Sequence, residues 1–100
     1  MSELPIEIPR EELADFCRCH HVRRLSFFGS ILTPNFRPDS DIDILVEFTE
    51  GVPVGLFAMG LMQQELTELF GREVDLKTPG DLSRFFRESV VREASVQYVA

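Results

Sequence analysis

Apolar and polar positions along this 100-residue chain follow two periods, and the switches between them mark out the elements. From Pro9 to about His20, Leu13, Phe16 and Cys17 recur at three- and four-residue steps behind Glu11 and Glu12. That pattern predicts an amphipathic helix with an acidic first turn that complements its dipole. The period then drops to two. Val22 to Phe28 reads as a strand with Leu25 and Phe27 on one face. A second strand, about Asp41 to Phe48, turns Ile42, Ile44, Val46 and Phe48 inward while Asp41, Asp43 and Glu47 share the other face. Between the strands, a short helical turn from Ser30 is stopped by Pro34, and Arg37-Pro38-Asp39-Ser40 is a turn that delivers Asp41.

Glu50-Gly51 breaks the second strand. A helix over about Leu56 to Phe70 carries Met59, Met62, Leu66 and Leu69 as its inward stripe, with Gly71 as its C-terminal cap. Glu73-Val74-Asp75-Leu76 predicts a short third strand ended by Thr78-Pro79-Gly80. Leu82, Phe85, Phe86, Val90 and Ala94 predict a last helix over Leu82 to about Ala94, capped by Asp81 or Ser83. The tail Val96 to Val99 is either extended or frayed. The expected fold is α/β (α+β), a small mixed sheet with helices packed on one side. No repeat or linker interrupts the pattern, so residues 1–100 read as one domain.

Composition narrows the function classes. A net charge of −7 repels a phosphate backbone, and nine Phe with one Tyr and no Trp supply no stacking platform for unpaired bases. Direct nucleic-acid binding is therefore excluded as an expectation, and a nucleotide would be a single one bridged by metal. The same acidity suits a basic protein partner. No apolar run reaches membrane-spanning length and Met1 to Pro5 lacks a signal pattern, so the expected location is cytoplasmic, away from membranes. Cys17 and Cys19 sit in a Cys-Arg-Cys-His-His cluster. On a helix, positions two apart diverge, so Cys17 is read as a small buried hydrophobe and the remainder as a helix end.

The chemistry concentrates in Phe27 to Phe48, FFGSILTPNFRPDSDIDILVEF. Gly29 lets the backbone turn where a side chain would clash, and Ser30 reads as a helix N-cap, so the unpaired N–H groups there favour an anion such as phosphate. Asp41 and Asp43 project from one strand face and repel each other. A hard cation such as Mg²⁺, held by one or two carboxylates plus phosphate oxygens, resolves that repulsion. Asp75, inside an apolar strand, needs a partner: a metal is one answer and an arginine of the last helix another.

Gly-Ser, ten residues, then Asp-x-Asp resembles the signature of the nucleotidyltransferases of the DNA polymerase beta superfamily. The VGLF, GREVDL and TPGDLSRFFR stretches extend the resemblance to the minimal nucleotidyltransferases, often the antitoxin half of a toxin–antitoxin pair with a HEPN-domain toxin. Many relatives carry an Arg-rich, Gly-containing loop after the serine, whereas this chain has Ile31 to Phe36. The resemblance implies a polymerase-beta-like fold in which Asp41, Asp43 and Asp75 hold Mg²⁺ and Gly29 and Ser30 hold the β- and γ-phosphates of ATP. It further implies that Asp75 is the candidate base and that AMP passes to a tyrosine of the HEPN toxin, neutralising it. A non-catalytic antitoxin that works by covering its partner is the competing expectation, and three intact, mutually repelling acids argue against it. A small-molecule acceptor would call for a second domain.

Overall fold

The computed structural model describes residues 4–100, so the reading of Met1-Ser2-Glu3 as free of a targeting signal lies outside the described residues. Helix α1 (Arg10–Cys19) leads into strand β1 (Val22–Phe28), and a 3₁₀ turn (Gly29–Leu32) and a loop connect it to β2 (Ile42–Phe48). Helix α2 (Leu56–Phe70), β3 (Val74–Lys77), a second 3₁₀ turn (Pro79–Asp81), α3 (Arg87–Glu93) and β4 (Ser95–Val99) follow. The sheet runs β3-β2-β1-β4. β1 is antiparallel to both β2 and β4, while β2 and β3 are parallel. A parallel pair needs a crossover, and α2 supplies it.

One face of the sheet holds the core. Leu25, Phe27, Ile42, Ile44, Val46, Val74 and Leu76 meet Leu13, Phe16 and Cys17 of α1 and Met62 and Leu66 of α2. Met59 and Leu69 pack partly buried at its margin. Gly71 takes φ +66 and ends α2 with Arg72 N–H donating to the Thr67 carbonyl, the left-handed cap expected of glycine. On the other face, Ser26 is also buried, and so is Leu45, where the turn Pro79–Asp81 folds back against β2. Strand alternation alone assigns Leu45 to the solvent side.

One element differs from the sequence pattern, and another settles an alternative that the pattern left open. The segment Leu82 to Ala94 is not one helix. Thr78 N–H donates to the Asp81 carboxylate at 3.0 Å and closes a separate 3₁₀ turn, after which Leu82 is extended. Ser83 restarts the chain: its Oγ accepts the Phe85 N–H and its carbonyl accepts the N–H groups of Phe86 and Arg87, so α3 begins at Arg87. Phe85 and Phe86, part of the apolar pattern that predicts the longer helix, are 81% and 62% exposed. The tail is a strand, not a frayed end. β4 pairs with β1 across a bulge between Leu25 and Ser26, and Ala100 N–H reaches the Arg23 carbonyl at 2.8 Å. Its β-branched residues suit that pleated neighbour.

Burial separates the two ends of α2 energetically. Leu66 is fully buried and Leu56 is 90% exposed. Leu66→Ala should cost about 2–5 kcal/mol in urea unfolding, and Leu56→Ala should stay within about 0.5 kcal/mol.

Candidate active site

The site forms where β1 ends. Phe28 pairs with Asp43 across the antiparallel β1–β2 ladder, and Asp43 pairs with Asp75 across the parallel β2–β3 ladder. The end of β1 and two carboxylates therefore lie side by side on adjacent strands. Asp41, one residue ahead of β2, is exposed at the same edge. Its approach is fixed by the Arg37–Ser40 turn, in which Ser40 N–H donates to the Arg37 carbonyl at 3.0 Å and Arg37 N–H donates to Ser40 Oγ at 2.9 Å.

Gly29 is required twice over. It takes φ +76, a conformation that side chains resist, and a Cβ placed there would overlap the Asp43 carboxylate, lying 3.1 Å from its Cγ. Ser30 is not the cap expected from the sequence. Phe28 occupies the cap position in extended conformation without a side-chain cap bond, and Ser30 lies inside the turn, where its backbone N–H lowers the proton affinity of Asp43. The buried Ile31 anchors the turn to the core.

Burial pushes the Asp43 carboxyl above its ordinary range, and Asp75 and then Asp41 push it further. Lys77 and the Ser30 N–H oppose the rise. Lys77 was invisible as a site residue, although it stands two positions after Asp75 on the same strand face; its Nζ is 3.5 Å from Asp75 Oδ1. It gives Asp75 a basic neighbour where the sequence offered a metal or an arginine of the last helix. Arg87 of that helix instead donates from Nη2 to the Leu82 carbonyl at 3.0 Å. Glu47 shares the acidic face, yet pairs with Arg23 at 3.1 Å and Arg24 at 3.5 Å, away from the aspartates. Beside the turn, Phe28, Gly29, Leu32 and Thr33 face Val90 and Glu93 of α3 and the following Ala94 across a cleft of about 520 Å³.

A family model for the nucleotidyltransferase domain matches residues 10–98. The chain belongs to that family. This nucleotidyltransferase is 36% identical over 72 residues to the protein adenylyltransferase MntA of Thermococcus cleftensis, covering 72% of this chain and 71% of that protein. Its fold matches a crystal structure of a toxin–antitoxin with AMP-PNP at TM-score 0.74 and 20% identity, over 93% of this chain and 75% of that one. It also matches a Shewanella oneidensis complex of a tri-AMPylated HEPN toxin with an MNT antitoxin, at TM-score 0.65 and 20% identity, over 91% and 70% of the two chains.

The carboxylates of this nucleotidyltransferase fit a hard divalent cation that brings oxygen ligands of its own. Among the described residues, no group of three or more His, Cys, Asp or Glu is arranged to hold a metal unaided. The Cys-His stretch is not a metal centre in this set either. Cys17 is buried and its thiol is pushed up to about 12 by that burial, while Cys19 is exposed. The His20 ring lies 4.6 Å from that of Phe16, with Nε2 3.3 Å from the Glu65 carboxylate.

Because the folded protein holds the Asp43 proton more tightly than the unfolded chain does, this group's contribution is full below the unfolded pKa. It is lost as pH rises through the folded one. In EDTA-treated protein, Asp43→Asn should therefore raise the melting temperature at pH 7. It should also remove part of the wild-type gain in stability on acidification, read as the difference between the two melting curves across pH 4–7.

Proposed function

We propose that this chain transfers AMP from ATP to a tyrosine hydroxyl of a HEPN-domain toxin and thereby silences that partner. The observation that carries the reading is the alignment of Asp43 with both Gly29 and Asp75, a turn and two acids converging from three strands' ends. The adenylyltransferase relative, the AMP-PNP complex and the tri-AMPylated HEPN toxin support the donor and the acceptor class. Residues 1–100 act in this reading as one catalytic domain in the cytoplasm. No helix among the described residues is long and apolar enough to cross a membrane. The net charge of −7 favours a basic protein surface over nucleic acid.

Roles follow from position. Asp41 and Asp43 would hold Mg²⁺, with Asp75 as the third acid toward it, and the ion when bound would supply charge neutralisation for the triphosphate. Gly29 gives the β- and γ-phosphates close access to backbone, and Ser30 adds its hydroxyl. Asp75 accepts the proton of the acceptor hydroxyl as that oxygen bonds to the α-phosphorus. The bond from the α-phosphorus to the bridging oxygen breaks, and pyrophosphate leaves with its electron pair.

Two measurements test this. Mg²⁺ with AMP-PNP at about 100 times its dissociation constant should stabilise wild type by about 2.7 kcal/mol, and Asp41→Asn with Asp43→Asn should abolish the gain. An equal shift in both proteins removes the metal assignment. In the second, the intact mass of partner co-expressed with wild type should rise by one or more AMP units on tyrosine, and partner co-expressed with Asp75→Asn should show none. A partner that is neutralised yet unmodified by wild type supports the covering mechanism instead.

A further inference from the structure

The strand that carries Asp75 is four residues long and lies at the edge of the sheet. On its inner side it is tied to β2, with Ile42 N–H donating to the Glu73 carbonyl at 2.9 Å. An edge strand ordinarily leaves its outward N–H groups unpaired. Here they are taken up by α2: Thr67 Oγ1 accepts the Val74 N–H at 3.1 Å, and Gln63 Oε1 accepts the Leu76 N–H at 2.9 Å. Val74 and Leu76 are the two residues that flank Asp75. Thr67 and Gln63 stand four apart, on one side of α2, and their chain neighbours Leu66 and Met62 are locked into the core.

We infer that Gln63 and Thr67 are positioning residues for Asp75, clamping β3 from outside so that this carboxylate stays in register with Asp43. Register matters because a slip of one residue would turn Asp75 into the core and Leu76 out of it. The two side chains act through the backbone and touch neither acid, so they would govern the proton-accepting step and leave nucleotide capture at Gly29, Ser30, Asp41 and Asp43 alone. This rests on the reading of Asp75 as proton acceptor.

The test uses full-length protein with its partner, comparing wild type, Thr67→Val, Thr67→Val with Gln63→Met, and Thr67→Ser. In the double variant, amide exchange at Val74 and Leu76 should speed up and kcat for AMP transfer should fall ~10–100-fold, the range seen when outer contacts that orient metal-ligating side chains are lost, with KM for ATP held within about twofold. Thr67→Ser, which keeps the acceptor oxygen, should behave as wild type. Thr67→Val alone should show the effect at Val74 if the double variant does not fold. Unchanged exchange, or faster exchange with kcat intact, overturns the inference and leaves the two side chains as mere protection of a sheet edge. If wild type transfers no AMP, the proposed reaction fails, and the clamp is then judged on exchange alone.

Discussion

The space above Gly29 can hold either a side chain of its own or the Asp43 carboxylate, and the protein gives it to Asp43. Much follows from that choice. The end of β1 sits beside the start of β2, with Phe28 paired to Asp43, and the turn takes positive φ at a residue that tolerates it. It also draws a half-buried carboxylate close to Asp75 and Asp41, and the raised affinity of Asp43 for its proton records the cost. A core of aliphatic and Phe side chains on the opposite face carries that cost, a division common where a site needs charges that stability would not select.

The sheet is the device that keeps the two demands apart. Along β2, Ile42, Ile44 and Val46 point into the core while Asp43 and Glu47 point away from it. The parallel crossover through α2 then brings a third acid beside the first pair, from a residue 32 positions later in the chain. The same helix that completes the core with Met62 and Leu66 offers Gln63 and Thr67 to the edge strand. Packing and site alignment thus share one element, so a change in how α2 seats on the sheet reaches Asp75 directly.

What the sequence disclosed was what depends on neighbours in the chain. The turn at Gly29, the strand carrying Asp43 and the Gly71 cap are local, set by backbone sterics and a two-residue or four-residue period. Features that arise only from pairing were hidden. Nothing in a linear reading assigns Asp75 to register with Asp43 in place of a position two steps along, or supplies β1 as the partner that orders the tail as β4. The break before α3 was missed because Leu82, Phe85 and Phe86 mimic a helical stripe while the capping of Thr78 by Asp81 competes with it. Lys77 was legible in principle, by its two-residue offset from Asp75, but a lone lysine at a strand end reads as solvated surface.

The central claim is that the turn at Gly29 and the acids of β2 and β3 form a single cation and triphosphate site. Paramagnetic broadening addresses it most directly: substoichiometric Mn²⁺ with AMP-PNP is added to ¹⁵N-labelled protein and amide signals are followed by NMR. The account predicts that Gly29, Ser30, Asp41, Asp43 and Asp75 broaden first and together, with α1 unaffected. Broadening centred on Glu11, Glu12 and Asp15, or spread evenly over the acidic surface, would contradict it.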